Sequence, residues 1–343
     1  MKTRLNFNCR PTIIGSVPYI DVGTACDKIM KYLKDIPAWP QLPLKSNLEN
    51  MYIQYSEGFP GIAIEGQRIT WHRDADFDDH LTNLYSDYTE SKIDNYYISQ
   101  DYASGLHAFI KNSHMSALAV KGQITGPISW GLCVTDETGR GILYDELLAD
   151  ALSKFLHLKA AWQERLLSKV ARQTIIFIDE PYLASLGSAF VSISPEQATA
   201  LLIEVLGGLT GIKGIHCCGS TDWSMLLKLP IDILNFDAYN YFESLSCYPQ
   251  EISAFISRGG VIAWGIVPND EAILKKETLV SLYDRFCEIV ASFSRNGVSF
   301  REIISGSLIT PTCGLATLST EAAEEVFGLL SGLSNRIRLK YSS

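Results

Sequence analysis

The sequence has 343 residues, of which 47% are hydrophobic and 20% charged, and its net charge is −9. A chain of this size can bury a large core without the help of disulfides. The positive residues form no cluster, which argues against nucleic acid and anionic membrane surfaces as partners. No apolar stretch reaches membrane-spanning length and the N-terminus has no apolar signal region, so we expect a cytoplasmic protein with reduced cysteines.

Short apolar runs typical of buried parallel strands alternate with helical stretches along the chain. Eight such runs predict a single α/β domain over residues 1–343, a (β/α)8 TIM barrel with an N-terminal helical extension over residues 21–55. An open doubly wound sheet is the alternative, but the first run lacks the glycine-rich turn typical of that fold. The predicted strands are 12–15, 61–64, 117–121, 174–178, 214–216, 233–236, 261–264 and 308–309.

Periodicity and capping residues predict several of the helices between these strands. Apolar residues at helical spacing predict a long helix over 144–171. Ser194 begins a capping box with Pro195 at the first helical position, and we expect that helix to reach about residue 206. Further helices are predicted over 269–293 and 320–333.

Reactive residues follow several of the predicted strands, and in a barrel the strand ends carry the functional residues. His216, Cys217 and Cys218 end the fifth strand, and Cys313 ends the eighth. Residues two apart on an extended segment point the same way, so His216 and Cys218 can face one point while Cys217 faces the barrel wall. Imidazole and thiolate suit zinc, which favours four ligands in a tetrahedron. The pattern therefore predicts zinc on His216, Cys218 and Cys313.

The fourth zinc position has two candidates, Asp237 after the sixth strand and a substrate thiol. Zinc held by thiolates lowers the pKa of a bound thiol and leaves its sulfur nucleophilic, which is the chemistry of alkyl transfer to sulfur. Two other interpretations of the cluster remain. One is a buried histidine beside core cysteines, and the other is a structural zinc, which usually shows close pairs such as Cys-x-x-Cys.

Two more strand ends carry polar groups. Asp179 and Glu180 end the fourth strand, where they can meet a substrate ammonium group or cap the next helix. Gly15 and Ser16 end the first strand, where they can offer backbone groups to a carboxylate or simply form a turn.

The set Ile-Gly-Ser, Ile-Asp-Glu-Pro, His-x-Cys and a late Cys-Gly-Leu resembles the catalytic domain of cobalamin-independent methionine synthase. That family shares a superfamily with uroporphyrinogen decarboxylase and the corrinoid-dependent methyltransferases of methanogens. The motifs run from about residue 12 to residue 315. The resemblance implies a barrel with zinc on His216, Cys218 and Cys313, and it places the glutamate ligand of the family at Asp237.

The resemblance also implies which residues hold the amino-acid part of homocysteine. These would be Gly15, Ser16 and Asp179, with Glu65 as a further member.

The sequence departs from the methionine synthases in two ways. Its 343 residues leave no room for the second barrel of those enzymes, and the predicted seventh strand ends in Gly-Ile-Val-Pro, without the histidine that serves them as an acid. Both departures favour a corrinoid, free or on a partner protein, as methyl donor over methyltetrahydrofolate.

We therefore expect a zinc-dependent methyltransferase that moves a methyl group from a corrinoid to a small-molecule thiol. The preferred candidate for this thiol is homocysteine, which would become methionine. The alternatives are transfer to another thiol such as coenzyme M, and a zinc-binding barrel without methyltransferase activity. A porphyrinogen decarboxylase would need no zinc and would need many basic groups around its cleft, which the sequence does not offer.

Overall fold

A computed structural model describes residues 5–111, 116–188, 191–294 and 298–341 of the chain. Nine strands occur in the described residues: β1 (Arg10–Pro11), β2 (Ile62–Glu65), β3 (Arg68–Trp71), β4 (Val120–Thr125), β5 (Thr174–Asp179), β6 (Ile212–Cys217), β7 (Ile233–Phe236), β8 (Val261–Val267) and β9 (Leu308–Pro311).

Fourteen α-helices occur in the same residues: α1 (Val22–Tyr32), α2 (Met51–Gln54), α3 (Phe77–Thr89), α4 (Ser104–Lys111), α5 (Pro127–Cys133), α6 (Glu146–Leu167), α7 (Pro195–Gly207), α8 (Trp223–Lys228), α9 (Ala238–Ser246), α10 (Pro249–Ser257), α11 (Glu271–Leu274), α12 (Leu279–Ser294), α13 (Phe300–Gly306) and α14 (Thr320–Tyr341). None of them is both long and apolar enough to cross a membrane.

Seven of the strands form one curled parallel sheet in the order β1-β9-β8-β7-β6-β5-β4. Because the strands are parallel, all their carboxyl ends lie at the same edge of the sheet. The residues that follow β5, β6, β7 and β9 therefore meet there, as the sequence predicted.

The prediction that residues 61–64 form the second strand of this sheet is wrong. Residues 61–64 lie in the hairpin of β2 and β3, a separate antiparallel pair that turns at Gly66, whose φ is +60°. The place beside β1 and β4 is taken by residues 37–41 instead. Gln41 bridges Ser16 and Ala38 bridges Lys121, both in parallel.

The expected N-terminal helical extension over residues 21–55 is confirmed in part. This segment contains the helices α1 and α2. The helix α1 follows β1 and packs against α4 and α14, in the layer of helices outside the sheet. Residues 37–41 of the same segment contribute backbone to the sheet edge, as described above.

The other predicted helices are largely confirmed. The helix α6 begins at the cap Asp145, and α7 begins at Ser194 with both hydrogen bonds of the capping box formed. The helix predicted over 269–293 is two helices, α11 and α12, and the last helix continues to Tyr341.

Side chains alternate between the two faces of the sheet, and each face has its own apolar core. The convex face packs against the helices. The concave face encloses a smaller cluster of Phe7, Ile36, Ala119, Ile175, Phe177, Ile212, Ile233, Val261, Ala263 and Leu308. This cluster fills the interior toward the amino ends of the strands, so the interior toward the carboxyl ends is left to other side chains.

Candidate metal centre

Polar side chains continue the concave face beyond the small apolar cluster. They occupy positions two or four residues further along the same strands, so they point inward like the cluster itself. All are at most 6% exposed: Lys121, Gln123, Asp179, His216, Asn235 and Thr310. Buried polar groups of this number need partners, which makes this layer the chemically distinctive part of the interior.

The structure brings His216, Cys218 and Cys313 together at the carboxyl edge of the sheet. One ligand atom from each lies within 4.8 Å of the others, and the Cys313 sulfur is 3.8 Å from Nε2 of His216. His216 is buried, while both cysteines are half-buried. Cys217 is fully buried in the core between sheet and helices, as its alternate position on the strand predicted.

Asn235 fixes the orientation of the His216 ring. Its Oδ1 lies 2.5 Å from Nδ1 of His216, while its Nδ2 donates to the carbonyl of Ala263 at 2.9 Å and to Oγ1 of Thr310 at 2.8 Å. Because Nδ2 is committed to two acceptors, Oδ1 is the atom that meets the ring, and Nδ1 must carry the proton. Nε2, which faces Cys313, is then left as a lone-pair donor for a metal.

The surroundings shift the pKa values of the two cysteine thiols in opposite directions. The hydrogen bond from the Cys313 thiol, together with the nearby His216, holds the pKa of Cys218 well below the usual thiol range. The same hydrogen bond and burial raise the pKa of Cys313 far above it. The pair therefore carries one thiolate, the form of cysteine that binds metals.

The three side chains fit zinc by donor type and by spacing. Ideal tetrahedral zinc–sulfur and zinc–nitrogen bonds would separate a sulfur from a nitrogen ligand by about 3.6 Å. The 3.8 Å between Cys313 and His216 is close to this value. Two sulfurs and one imidazole also match the soft donor set that zinc accepts.

Asp237 lies outside this cluster. Its carboxylate caps α9 and accepts hydrogen bonds from the backbone N–H of Asn240 at 2.9 Å and from Nδ2 of Asn240 at 2.7 Å. Burial raises the pKa of Asp237, and the charges of Cys218 and His216 also act on it. The carboxyl group is therefore within electrostatic reach of the cluster, and its role as a ligand stays a prediction.

Asp179 and Glu180 differ in role although they are adjacent. Glu180 is fully buried and accepts hydrogen bonds from the N–H groups of Ile128 and Ser129 and from the Ser129 hydroxyl, at 2.6–2.9 Å. It therefore caps the N-terminus of α5. Asp179 pairs with His216 in the sheet register, and its Oδ1 is buried without a partner. Burial raises the pKa of Asp179 to about 6.

Gly15 and Ser16 lie beside the loop that carries Cys313. The Ser16 carbonyl accepts from the N–H of Leu315 at 2.9 Å, and a Cβ on Gly314 would stand 2.2 Å from Oγ of Ser16. A Cβ on Gly15 would collide with the side chains of Gln41 and Gln123, at 2.5 and 2.6 Å. Only glycine fits at position 15.

Glu65 is placed differently from the other predicted residues. It ends β2, is exposed, and pairs with Arg68 across the hairpin. Among the described residues, no hydrogen bond or ion pair links it to the metal cluster. Its predicted part in substrate binding stays a prediction.

Sequence reasoning missed Asn235, Thr310 and Lys121. Each of them interrupts an apolar strand with a polar group on the inward face. A polar residue inside a fully buried strand is the signal that could have found them, because such a group needs a partner inside the protein.

No family model matches this chain, and no curated protein matches it by sequence. Solved structures with a similar fold include the following two. One is a B12-independent methionine synthase from Shewanella sp. W3-18-1 in complex with selenomethionine, with a TM-score of 0.61 and 15% identity over 98% of this chain and 99% of that one. The other is a methyltransferase from Methanosarcina mazei, with a TM-score of 0.56 and 11% identity over 100% of this chain and 95% of that one.

Both similarities extend over nearly the whole of each chain. At sequence identities this low, structural similarity establishes a shared fold only. The chain thus has the fold of the two groups that its motifs resemble, the methionine synthases and the methyltransferases of methanogens.

Proposed function

We propose that this protein is a zinc-dependent methyltransferase that acts on a thiol. In this proposal the sheet is closed as a (β/α)8 barrel, with residues 37–41 in the eighth position between β1 and β4, and the active site lies at the carboxyl ends of its strands. The observation that carries the proposal is the His216, Cys218 and Cys313 cluster with its ring nitrogen already oriented by Asn235.

His216, Cys218 and Cys313 would hold the zinc, with Asp237 or the substrate sulfur in the fourth position. Zinc bound by thiolates lowers the pKa of a substrate thiol and keeps its sulfur nucleophilic at neutral pH. The substrate sulfur then forms a bond to the methyl carbon while the bond from the donor to that carbon breaks, and both electrons of the broken bond stay on the donor. The thiol proton passes to solvent.

The substrate we propose is an α-amino acid thiol, homocysteine, which would become methionine. Oδ1 of Asp179 is a buried acceptor without a partner, which suits a substrate ammonium group. Coenzyme M carries no ammonium group and would leave this oxygen unpaired. The backbone N–H groups of Gly15 and Ser16 would meet the carboxylate.

For the donor we propose a methyl-corrinoid, free or on a partner protein. At the end of β8, where an acid would protonate the leaving nitrogen of a folate, Gly265, Ile266 and Val267 offer no titratable side chain. A cobalt leaving group keeps the electron pair and needs no proton, so an apolar strand end is compatible with it.

Zinc content and methyl transfer test this proposal together. Native protein should contain one zinc per chain, and it should methylate homocysteine with methylcobalamin but not with methyltetrahydrofolate. The double variant Cys218→Ser, Cys313→Ser should lose both zinc and activity. Cys217→Ser is the matched control, because its side chain points into the core and should leave zinc in place.

Absence of stoichiometric zinc, or zinc retained by the double variant, would overturn the proposal. Tight zinc binding without methylation of any thiol would favour a zinc-binding barrel. Transfer from methyltetrahydrofolate would keep the thiol half of the proposal and overturn the corrinoid half.

A further inference from the structure

Lys121 is a titratable residue inside the barrel that the proposed chemistry does not use, and burial lowers its pKa to about 7. Its side chain is fully buried in the middle of β4, with Nζ 4.4 Å from the centre of the Phe177 ring. Nζ donates to the carbonyl of Ile14 at 2.5 Å and to Oε1 of Gln123 at 3.2 Å. Burying an ammonium group is costly, so the contacts it makes should matter.

The carbonyl that Lys121 holds belongs to the same peptide unit as the N–H of Gly15. In a planar trans peptide the C=O and N–H bonds point in opposite directions. Fixing the Ile14 carbonyl against Nζ therefore fixes the direction of the Gly15 N–H, which points away from the lysine. The hydrogen bond to the carbonyl also polarises the peptide and makes the N–H a stronger donor.

The N–H groups of Gly15 and Ser16 have no acceptor among the described residues. Gly15 is buried and Ser16 half-buried, and buried backbone donors are almost always paired. The neighbouring N–H of Val17 is satisfied by the Gln41 carbonyl. Two adjacent free N–H groups beside the Cys313 loop suit an anionic ligand group.

We infer that Lys121 is a positioning residue for substrate selection: it orients the Ile14–Gly15 peptide so that the Gly15 and Ser16 amides bind the carboxylate of a thiol substrate. This inference rests on the proposed thiol site. The subsite for the substrate carboxylate is then separate from Asp179, whose unpartnered oxygen would bind the substrate ammonium group. Lys121 and Asp179 together select thiols that carry both groups.

The test is isothermal titration of the zinc-loaded protein with three thiols. Homocysteine carries a carboxylate and an amine, 3-mercaptopropionate only the carboxylate, and cysteamine only the amine. In Lys121→Met the Kd should rise about tenfold for homocysteine and 3-mercaptopropionate and stay unchanged for cysteamine. In Asp179→Asn it should rise for homocysteine and cysteamine and stay unchanged for 3-mercaptopropionate.

Lys159→Met is the matched control, because Lys159 is equally buried but lies on α6 and donates to the carbonyl of Tyr97. It should leave all three Kd values unchanged. Should Lys121→Met fail to fold, Lys121→Gln decides, since it removes the charge but keeps a polar side chain, and the same two thiols should lose affinity.

A Lys121 variant that weakens all three thiols equally, or none of them, would overturn the inference while leaving the proposed function standing. Failure of the zinc-loaded wild-type protein to bind any of the three thiols would instead overturn the proposed function, and the inference with it.

Discussion

Asn235 decides which nitrogen of His216 is available to a metal. Its carbonyl oxygen meets Nδ1, and its amide group is anchored by Ala263 and Thr310 on the next two strands. A histidine ligand is weakened when the group that orients its ring is lost, because the ring rotates and the wrong tautomer becomes populated.

We therefore expect Asn235→Ala to lower the affinity for zinc by about 10- to 100-fold. Thr310→Val should have a smaller effect, since the bond from Asn235 to Ala263 remains. Competition for zinc with a chromophoric chelator measures both. Equal zinc affinity in wild type and Asn235→Ala would show that the ring is held by its surroundings instead.

The three cluster residues could be predicted because their chemistry is local. His216 and Cys218 are two apart at a strand end, and Cys313 follows another strand of the same sheet. Asn235 and Lys121 stand out in the sequence only as polar residues inside apolar strands, and their roles could not be predicted, since their partners are set by strand register and by a backbone carbonyl on a distant segment. Nothing in the residues before them in the chain indicates those partners.

The helix α6 has several buried polar side chains that form hydrogen bonds with neighbouring segments. Gln163 reaches the backbone of Gln123 and the indole of Trp39, and Glu164 accepts from the N–H groups of Thr210 and Gly211. Lys159 is fully buried one turn earlier. The helix could be predicted from its apolar periodicity, but these polar contacts need the tertiary structure.

Lys159 predicts a pH dependence of stability. Burial lowers its pKa to about 7, below the usual value of 10.5. Between pH 7 and pH 10.5 the unfolded chain binds more protons than the folded one, so stability rises with pH over this range and the cost of burying Lys159 is largest below pH 7. We expect the unfolding free energy of Lys159→Met, minus that of wild type, to fall as the pH rises from 7 to 9.

Urea unfolding at several pH values measures this difference. Lys154→Met, on the same helix, is the control, because Lys154 is partly exposed and is paired with Asp150 at 2.5 Å. A difference for Lys159→Met that does not change with pH would contradict the prediction.

Sequence reasoning misplaced two segments, residues 37–41 and residues 61–64, for different physical reasons. Pro37 and Pro40 cannot donate to a ladder, so residues 37–41 do not look like a strand. They nevertheless complete the sheet edge, because Trp39 and Gln41 supply the N–H groups that the two neighbouring segments accept. Residues 61–64 have the right composition for a buried strand, but the turn at Gly66 pairs them locally.

At the scale of the molecule, the cluster joins parts of the sheet that are not neighbours. His216 ends β6 and Cys313 follows β9, and β7 and β8 lie between them. These residues are 97 positions apart in the chain. The alternation of strands and helices was enough to predict that the carboxyl ends of these strands meet at one edge of the sheet. A metal bound by both His216 and Cys313 would therefore connect β6 to the loop after β9.

A metal that binds only the folded cluster should stabilise the whole protein. At free zinc about 100 times its Kd the gain is about 2.7 kcal/mol, which corresponds to a rise in Tm of about 4 °C for a chain of this size. Calorimetry of zinc-loaded and chelator-stripped protein measures the shift. The shift in Tm should vanish in the double variant Cys218→Ser, Cys313→Ser and persist in Cys217→Ser, because the sulfurs of Cys218 and Cys313 lie in the cluster and that of Cys217 does not. A shift that survives loss of both cluster sulfurs would place the stabilising zinc elsewhere in the protein.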